Sequence, residues 1–405
     1  MEVMLILRSL RRSKVGALLI SVQIALTLAI LCNSLSALQQ QLQDMTRPTG
    51  IDEANIWTLR NQWIGAPEDL QARILTDLAA LRSVPGVVGA AATNAYPLGG
   101  DAWTTGVGLN PNQRVSTAST AVYIVDEHAM AAFGLKLAEG RWFKAGEIGA
   151  ARDDETKFPA TVIITRSLAH ALFPNTDALG QVVYFGRSQP ARVVGIVEHA
   201  QTPFASQTSW HVRIDDASFF PYQYVSNDMT YVVRTEPGRL AAVMMMAQAR
   251  LFQITAQRVV TSARTFAETR HGAYTSERKS SIVLGVVCGL LLVVTALGVV
   301  GLTMYWVSQR RRYIGMRRAL GARRSDIARY FHLENLLIAG TGVAVGVVLG
   351  LGGNVLLASD LALTRMSAGF ICAAAGIVLG LSQLAVIWPA MRAASIPPAT
   401  AIRGR

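Results

Sequence analysis

Four apolar stretches constrain this chain more than any other feature: Val15 to Ala37, Ser281 to Val307, Leu333 to Ala358 and Ser367 to Trp388. A helix needs about 20 predominantly apolar residues to cross roughly 30 Å of hydrocarbon, and each stretch is that long. Backbone N–H and C=O groups inside hydrocarbon must be satisfied within the segment, so helices are the form expected of all four. Composition agrees: of 405 residues 51% are hydrophobic and only 16% charged, an unusual balance for a soluble domain.

Charge orients the spans. The net charge is +12, but residues 38–280 hold 22 basic and 22 acidic side chains and are neutral. The excess lies at +3 before the first span, +6 over residues 308–334, zero over residues 359–366 and +3 after Trp388. Basic residues that flank one side of every span follow the positive-inside pattern and argue against a nucleic-acid face. Both termini (residues 1–14 and 389–405) and the segment 308–332 are therefore expected in the cytoplasm, with residues 38–280 outside. Arg8, Arg11, Arg12 and Lys14 precede a first apolar run longer than the ~7–15 residues of a cleaved signal, so an uncleaved anchor is expected. Cys32, Cys288 and Cys372 all fall inside spans, which leaves the large outer domain without a thiol.

The outer region reads as a mixture of helices and strands. Gln39 to Gln43 extends the first span until Pro48 stops it, and Pro67 opens a helix carrying Leu70, Ile74, Leu78 and Leu81 at helical spacing. Strands are expected at Val87–Ala92, Ala121–Val125, Thr161–Thr165, Val182–Phe185, Arg192–Val197 and Tyr231–Arg234. Helices are expected at Glu127–Phe133, Ser167–Phe173 and Arg239–Gln257. From Phe266 a polar helix is expected to run straight into the second span, so that two helical stalks carry the domain. Gly342, Gly346 and Gly350 in the third span, and Gly376 with Gly380 in the fourth, form small-residue ridges of the kind that let helices pack closely in lipid.

Enzyme signatures are missing from these residues. None of the five lysines (Lys14, Lys136, Lys144, Lys157, Lys279) follows a glycine, so no G-x-x-x-x-G-K-[ST] phosphate loop is present. H-E-x-x-H, C-x-x-C and G-x-S-x-G are absent as well, and the scattered histidines, His199 and His211 included, make a poor metal set. Neither a catalytic residue, a metal nor a bound cofactor is expected in this chain.

Between the second and third spans stands Arg311-Arg312-Tyr313-Ile314-Gly315-Met316-Arg317-Arg318-Ala319-Leu320-Gly321-Ala322, followed by Ser325-Asp326-Ile327 and Glu334. This run resembles the FtsX-like permease domain of MacB-type ABC transporters. The outer region resembles the MacB-like periplasmic core domain at Val84-Pro85-Gly86-Val87, Pro97-Leu98-Gly99-Gly100, Phe133-Gly134-Leu135, Glu139-Gly140-Arg141-Trp142-Phe143, Leu172-Phe173-Pro174 and Val193-Val194-Gly195-Ile196-Val197. Pro389-Ala390 to Ala393-Ala394, then Pro397-Pro398 with Ala401-Ile402-Arg403, resembles the family's cytoplasmic tail. Tyr313 stands where the family commonly has an acidic residue, and the family's fused nucleotide-binding domain is not among these residues.

The resemblance implies a membrane protein of four transmembrane α-helices, with an α+β periplasmic domain inserted between the first and second helices. It implies a permease subunit of the inner membrane that couples a separate ABC ATPase to periplasmic movement for export or efflux. Ile314, Gly315, Arg317, Arg318, Leu320 and Gly321 would form the coupling helix that docks on that ATPase, with Gly321 ending it and Ser325 capping the next helix. Other expected partners are a second permease, identical or paralogous, a periplasmic adaptor with an outer-membrane channel, and the lipid bilayer. No charged residue lies near a span centre, so transmission through the stalks is expected rather than a polar tunnel. An FtsX-like scaffold regulating a cell-wall hydrolase and a membrane sensor are the competing expectations.

Overall fold

The apolar runs are helical, and mixed α and β elements fill the region between the first two. The computed structural model describes residues 14–65, 69–152, 157–186, 188–206, 212–361 and 368–395. The expectations placed on Arg8, Arg11, Arg12, Pro67, His211 and the Pro397 to Arg403 tail lie outside the described residues. In chain order the elements begin with α1 (Lys14–Thr46), β1 (Ile56–Trp63), α2 (Leu70–Arg82), β2 (Val87–Thr93), β3 (Trp103–Gly108) and β4 (Ala118–Val125). Next come α3 (Ala129–Phe133), β5 (Leu137–Gly140), β6 (Gly149–Arg152), β7 (Thr161–Thr165), α4 (Arg166–Leu172), β8 (Val182–Phe185) and β9 (Gln189–Val197). The chain continues through β10 (Ala217–Val225), β11 (Asp228–Thr235), α5 (Leu240–Ile254), β12 (Arg258–Thr265) and α6 (Phe266–Ala273). It closes on α7 (Thr275–Gln309), α8 (Arg311–Ala319), α9 (Arg324–Leu361) and α10 (Ala368–Ala394). The described residues up to Gln43 and from Glu277 form one compact unit, and Asp44–Ser276 form the other.

In the helical unit α1, α7, α9 and α10 are each long and apolar enough to cross a membrane. Ile24, Leu28, Val299, Phe331, Ala339, Val378 and Val386 make its core. The outer faces are apolar too: Leu18, Val22, Leu26 and Ile30 of α1 and Val286, Leu290, Val293 and Leu297 of α7 stay exposed, as suits helices that meet lipid. Polar side chains tie the helices together. Gln23 Nε2 donates to the Val294 carbonyl at 3.0 Å, the Thr27 and Thr295 hydroxyls lie 2.8 Å apart, and Ser281 Oγ donates to Gln41. Ser21 Oγ donates to the Ile338 carbonyl at 3.2 Å, and Asn335 Nδ2 to the Ser382 carbonyl at 3.2 Å. His332 Nδ1 lies 2.9 Å from Gln383 Oε1.

The two glycine ridges have different surroundings. A Cβ built on Gly342 would lie 2.8 Å from the Ser21 carbonyl oxygen, one on Gly346 would lie 2.9 Å from that of Ala25, and one on Gly350 would lie 3.5 Å from Cys32 Cβ. That ridge is the contact of α9 with α1. At Gly376 and Gly380 a Cβ would meet nothing within 4 Å.

The α/β unit contains two sheets. The first has the order β12-β1-β11-β2 and is antiparallel throughout. Alternate residues Trp57, Leu59, Tyr231, Val233, Ala90 and Ala92 pack with Ile74, Leu78 and Leu81 of α2 and Val243, Ala247 and Leu251 of α5. Six strands of the second sheet close on themselves in the ring β4-β3-β8-β9-β7-β10, because β10 pairs with β4 as well as with β7. Strand alternation fills two cores from this ring. Val122, Ile124, Val162, Ile164 and Phe220 join one cluster, and Tyr123, Val125, Ile163 and Phe219 join another with Ile56, Ala91 and Val232 of the first sheet.

One expected feature differs in the structure, and strand β10 is not among those expected. The helix leading into the second span is broken: α6 ends at Ala273, Tyr274 leaves helical geometry (φ −96°, ψ 14°) and α7 begins at Thr275. Strand β10 contains Pro221, which pairs with Val125 as the last contact with β4 before β10 takes up β6 at Tyr222. Proline without an N–H is tolerated at such a change of partner.

The packing asymmetry between the ridges is testable by denaturation of the purified protein. Gly346→Leu should destabilise it by about 1–3 kcal/mol through overpacking against α1, whereas Gly380→Leu should leave the midpoint unchanged.

Candidate functional site

The basic stretch after α7 turns back into the bundle through one ion pair. Glu334 is buried on α9 with its side chain 1% exposed, and a carboxylate so placed needs a cation. Arg310, at the corner between α7 and α8, supplies it: Nη1 donates to Oε1 at 2.8 Å and to Oε2 at 2.9 Å, and reaches the Tyr330 hydroxyl at 3.4 Å. The same guanidinium lies 6.0 Å from the Trp306 ring centroid. The start of α8 is thus fixed to the helices on either side of it.

The site residues expected from sequence sort onto different faces of α8. Ile314 and Gly315 are buried, and Ile314 belongs to the bundle core together with Ala390 and Ala393 of α10. They seat the helix. Tyr313, Met316 and Leu320 face outward, and Leu320 is 83% exposed. Arg317 and Arg318 are half-buried. Arg317 lies over two rings, 5.3 Å from the Tyr313 centroid and 5.7 Å from that of Tyr330. Tyr313 therefore engages its neighbouring arginine through a ring face, where an acidic residue would form a salt bridge.

Backbone geometry ends this helix sharply. Leu320 is the C-cap, the Gly321 N–H donates to the Arg318 carbonyl at 3.2 Å, and the Ala322 N–H donates to the Arg317 carbonyl at 3.1 Å. That pair of bonds defines a Schellman motif, and Gly321 has the φ of +98° it requires. Three residues later α9 begins, and its first turn is capped by Asp326 and not by Ser325. The Asp326 carboxylate accepts the Arg323 N–H at 2.9 Å. With the turn completed by Gly321 and Ala322, Arg323 takes the N-cap position and Asp326 falls at N3, the place from which an acidic side chain reaches back.

Sequence reasoning misses Arg310, Trp306 and Tyr330, which hold the segment in place. In the sequence Arg310 is one more basic residue in a charged run. The one signal that sets it apart is Glu334, an acid at the start of an apolar span, which must find a cation nearby.

A second charged cluster is built into the α/β unit. Asp77 of α2 receives two bonds of 2.9 Å from Arg258 and one of 2.8 Å from the Tyr231 hydroxyl, and Asp77 and Arg258 are both 1% exposed. Burial and the adjacent Asp77 carboxylate push the Tyr231 hydroxyl well above its ordinary pKa. Asp126, Glu127 and His128 lie together, with Asp126 bonded to Arg82 at 2.9 Å and its pKa raised by burial. These groups lock α2 and α3 to the sheet.

An α+β unit inserted between the first two of four membrane-length helices, with a seated basic helix between the second and third, is the architecture of a multi-pass membrane protein. The MacB-like periplasmic core domain profile matches residues 16–250, and the FtsX-like permease C-terminal profile matches residues 285–398. The chain belongs to the MacB-like periplasmic core domain family of ABC transporter permeases. It is 29% identical over 232 residues to the macrolide export ATP-binding/permease protein MacB of Bordetella avium, covering 55% of this chain and 33% of that protein. With the pyoverdine export ATP-binding/permease protein PvdT of Pseudomonas savastanoi it shares 28% identity over 295 residues, 68% of this chain and 42% of that one. The chain thus spans less than half the length of these relatives. The crystal structure of the periplasmic region of MacB from Actinobacillus actinomycetemcomitans aligns with 57% of this chain and 98% of its own, at 15% identity and a TM-score of 0.34.

The seat of α8 can be probed by a double-mutant comparison. Arg310→Ala should cost about 3 kcal/mol because it leaves the buried Glu334 carboxylate without its guanidinium, and Arg310→Met with Glu334→Leu should lose less than Arg310→Ala alone. Denaturation midpoints of the three proteins measure this.

Proposed function

We propose that this chain is the membrane subunit of an exporter whose ATPase is a separate polypeptide, and that α8 is the surface on which the ATPase acts. The observation that carries this reading is the division of labour on α8. Ile314, Gly315 and the Arg310–Glu334 pair fix the helix in the bundle, while Met316 and Leu320 stay exposed on its outer side beside Tyr313, whose ring carries Arg317 over one face. A helix that is anchored on one side and exposed on the other moves with the bundle when its outer face is pushed. Export suits a chain whose relatives are named as export proteins. A second permease chain completes the assembly.

In this mechanism ATP closes the partner ATPases, α8 is carried with them, and α1 and α7 convey the motion to the periplasmic domain. At about 1.5 Å per residue the 33 residues of α1 and 35 of α7 reach roughly 50 Å, beyond the ~30 Å of hydrocarbon. Substrate is then captured and expelled on the periplasmic side.

Co-purification tests the docking surface. Met316→Asp with Leu320→Asp, and separately Arg317→Glu with Arg318→Glu, should abolish recovery of the ATPase with the tagged permease while membrane insertion persists. Retained ATPase and transport in both variants would remove α8 from the mechanism.

Orientation is tested by labelling. With Cys32, Cys288 and Cys372 replaced, new cysteines at the exposed positions Gln71 and Ser188 should react with a membrane-impermeant thiol reagent in osmotically opened outer envelopes. One at Ser325 should react only after the inner membrane is broken. Labelling of Ser325 in intact inner membranes would reverse the topology.

A further inference from the structure

One face of the four-stranded sheet packs on α2 and α5, and the opposite face changes character along its length. At one end Ile56, Ala91 and Val232 enter the apolar core shared with the second sheet. At the other end the strand register sets Ser262, Arg60, Thr230 and Thr93 side by side, one from each strand, as a continuous polar row. Over this row opens a cleft of about 660 Å³, walled on its far side by the loop that carries Tyr96 and Asp101 and by Tyr224 and Ser226. A merely solvated sheet face would be flat. This one is concave and has the volume of a small-molecule site, about 300–1,000 Å³.

The lining narrows the chemistry of what fits. Eight of its fifteen residues carry a hydroxyl, and its charged groups are two arginines, Arg60 and Arg264, against two aspartates, Asp101 and Asp228. An anionic ligand calls for a surplus of cations. An apolar ligand calls for a mainly aliphatic and aromatic wall. The cleft offers neither. Hydroxyls both donate and accept, guanidinium only donates and carboxylate only accepts, so the set complements a neutral ligand whose surface alternates donors and acceptors. The charged floor is preorganised: Arg60 Nε donates to Asp228 Oδ1 at 2.8 Å, and Nη2 donates to Oδ2 at 2.6 Å, which leaves the Nη1 edge turned to other use. Tyr96 and Tyr224 add ring surface to the same lining.

We propose that this cleft is a saccharide-binding site, taking a neutral oligosaccharide against the polar row of the sheet. The proposal goes beyond the transport reading, because binding can be measured without an ATPase or turnover. The test uses the full chain in lipid nanodiscs prepared without alkyl glycoside detergents, which would themselves occupy the cleft. Saturation-transfer NMR with maltotetraose and chitotetraose is compared with tetra-alanine and inorganic phosphate.

At least one of the two saccharides should show saturation transfer, and neither tetra-alanine nor phosphate should displace it. Arg60→Ala should weaken binding about tenfold, as expected for loss of a charge-assisted hydrogen bond. Thr230→Val and Ser262→Ala, which remove hydroxyls without disturbing the Arg60–Asp228 pair, should each weaken it by about threefold to tenfold at an unchanged thermal midpoint. If Arg60→Ala does not fold, these two variants decide. No transfer to either saccharide, an affinity unchanged in both hydroxyl variants, or displacement by peptide or phosphate overturns the proposal.

Discussion

The helical unit depends on one constraint: a polar group inside hydrocarbon has no water to bond with. For the backbone this dictates helices. For side chains it means that each polar group admitted to a span must meet another, and the unit uses this to select helix neighbours. Burial of apolar surface does not discriminate here, since the outward Leu26 and Leu290 are as apolar as the inward Ile24 and Val299. Selection falls to close packing and hydrogen bonds. Thr27 finds Thr295, Gln23 finds the Val294 carbonyl, and Asn335 finds Ser382, so α1 is specified against α7 and α9 against α10. Gly342 and Gly346 do the same for α9 against α1 by removing the side chains that would hold the backbones apart.

In the α/β unit water supplies the drive, and the problem becomes which face of each strand goes where. Strands such as β4 and β7 are buried on both faces because alternate residues serve two cores, and their sequences read as unbroken apolar runs. Such runs announce strands clearly, and Ala121–Val125 and Thr161–Thr165 are legible from their residues alone. Strand β1 is not, although Trp57, Leu59 and Trp63 alternate, because Arg60, Asn61 and Gln62 interrupt the run with polar residues. Asn61 faces the helices beside the buried Arg258, a polar partner on the apolar side that a pattern rule counts as a mismatch. Strand β10 is hidden by Pro221, whose tolerance rests on an exchange of partners that only the sheet topology reveals.

The coupling segment divides in the same way. Gly321 is legible as a helix terminator because the reason is local: left-handed backbone excludes most other residues. The inward turn of Ile314 and Gly315 is not, since which face of a short helix is covered depends on α10, which follows it by some fifty residues. The cap at Asp326 in place of Ser325 shows the limit between the two cases. Both residues are good first-turn residues, and the choice follows from where the preceding turn ends.

The α/β unit binds its own two ends to each other. Chain enters the α/β unit at the end of α1 and leaves it through α6, and these two crossings are clamped to each other. Arg270 Nη1 donates to the Met45 carbonyl and Nη2 to the Arg47 carbonyl, each at 2.9 Å, while Nε reaches Glu53 at 3.0 Å. The Tyr274 hydroxyl donates to the Asp44 carbonyl at 2.8 Å. The guanidinium thus caps the Met45 carbonyl in the last turn of α1 and the Arg47 carbonyl just beyond it, a position where positive charge is favoured. Within the helical unit Gln41 and Ser281 are bonded in turn. Arg270 and Tyr274 thus tie the last turns of the inserted unit to its first residues, so separating residues 44–47 from α6 would break the two guanidinium bonds and the tyrosine bond together.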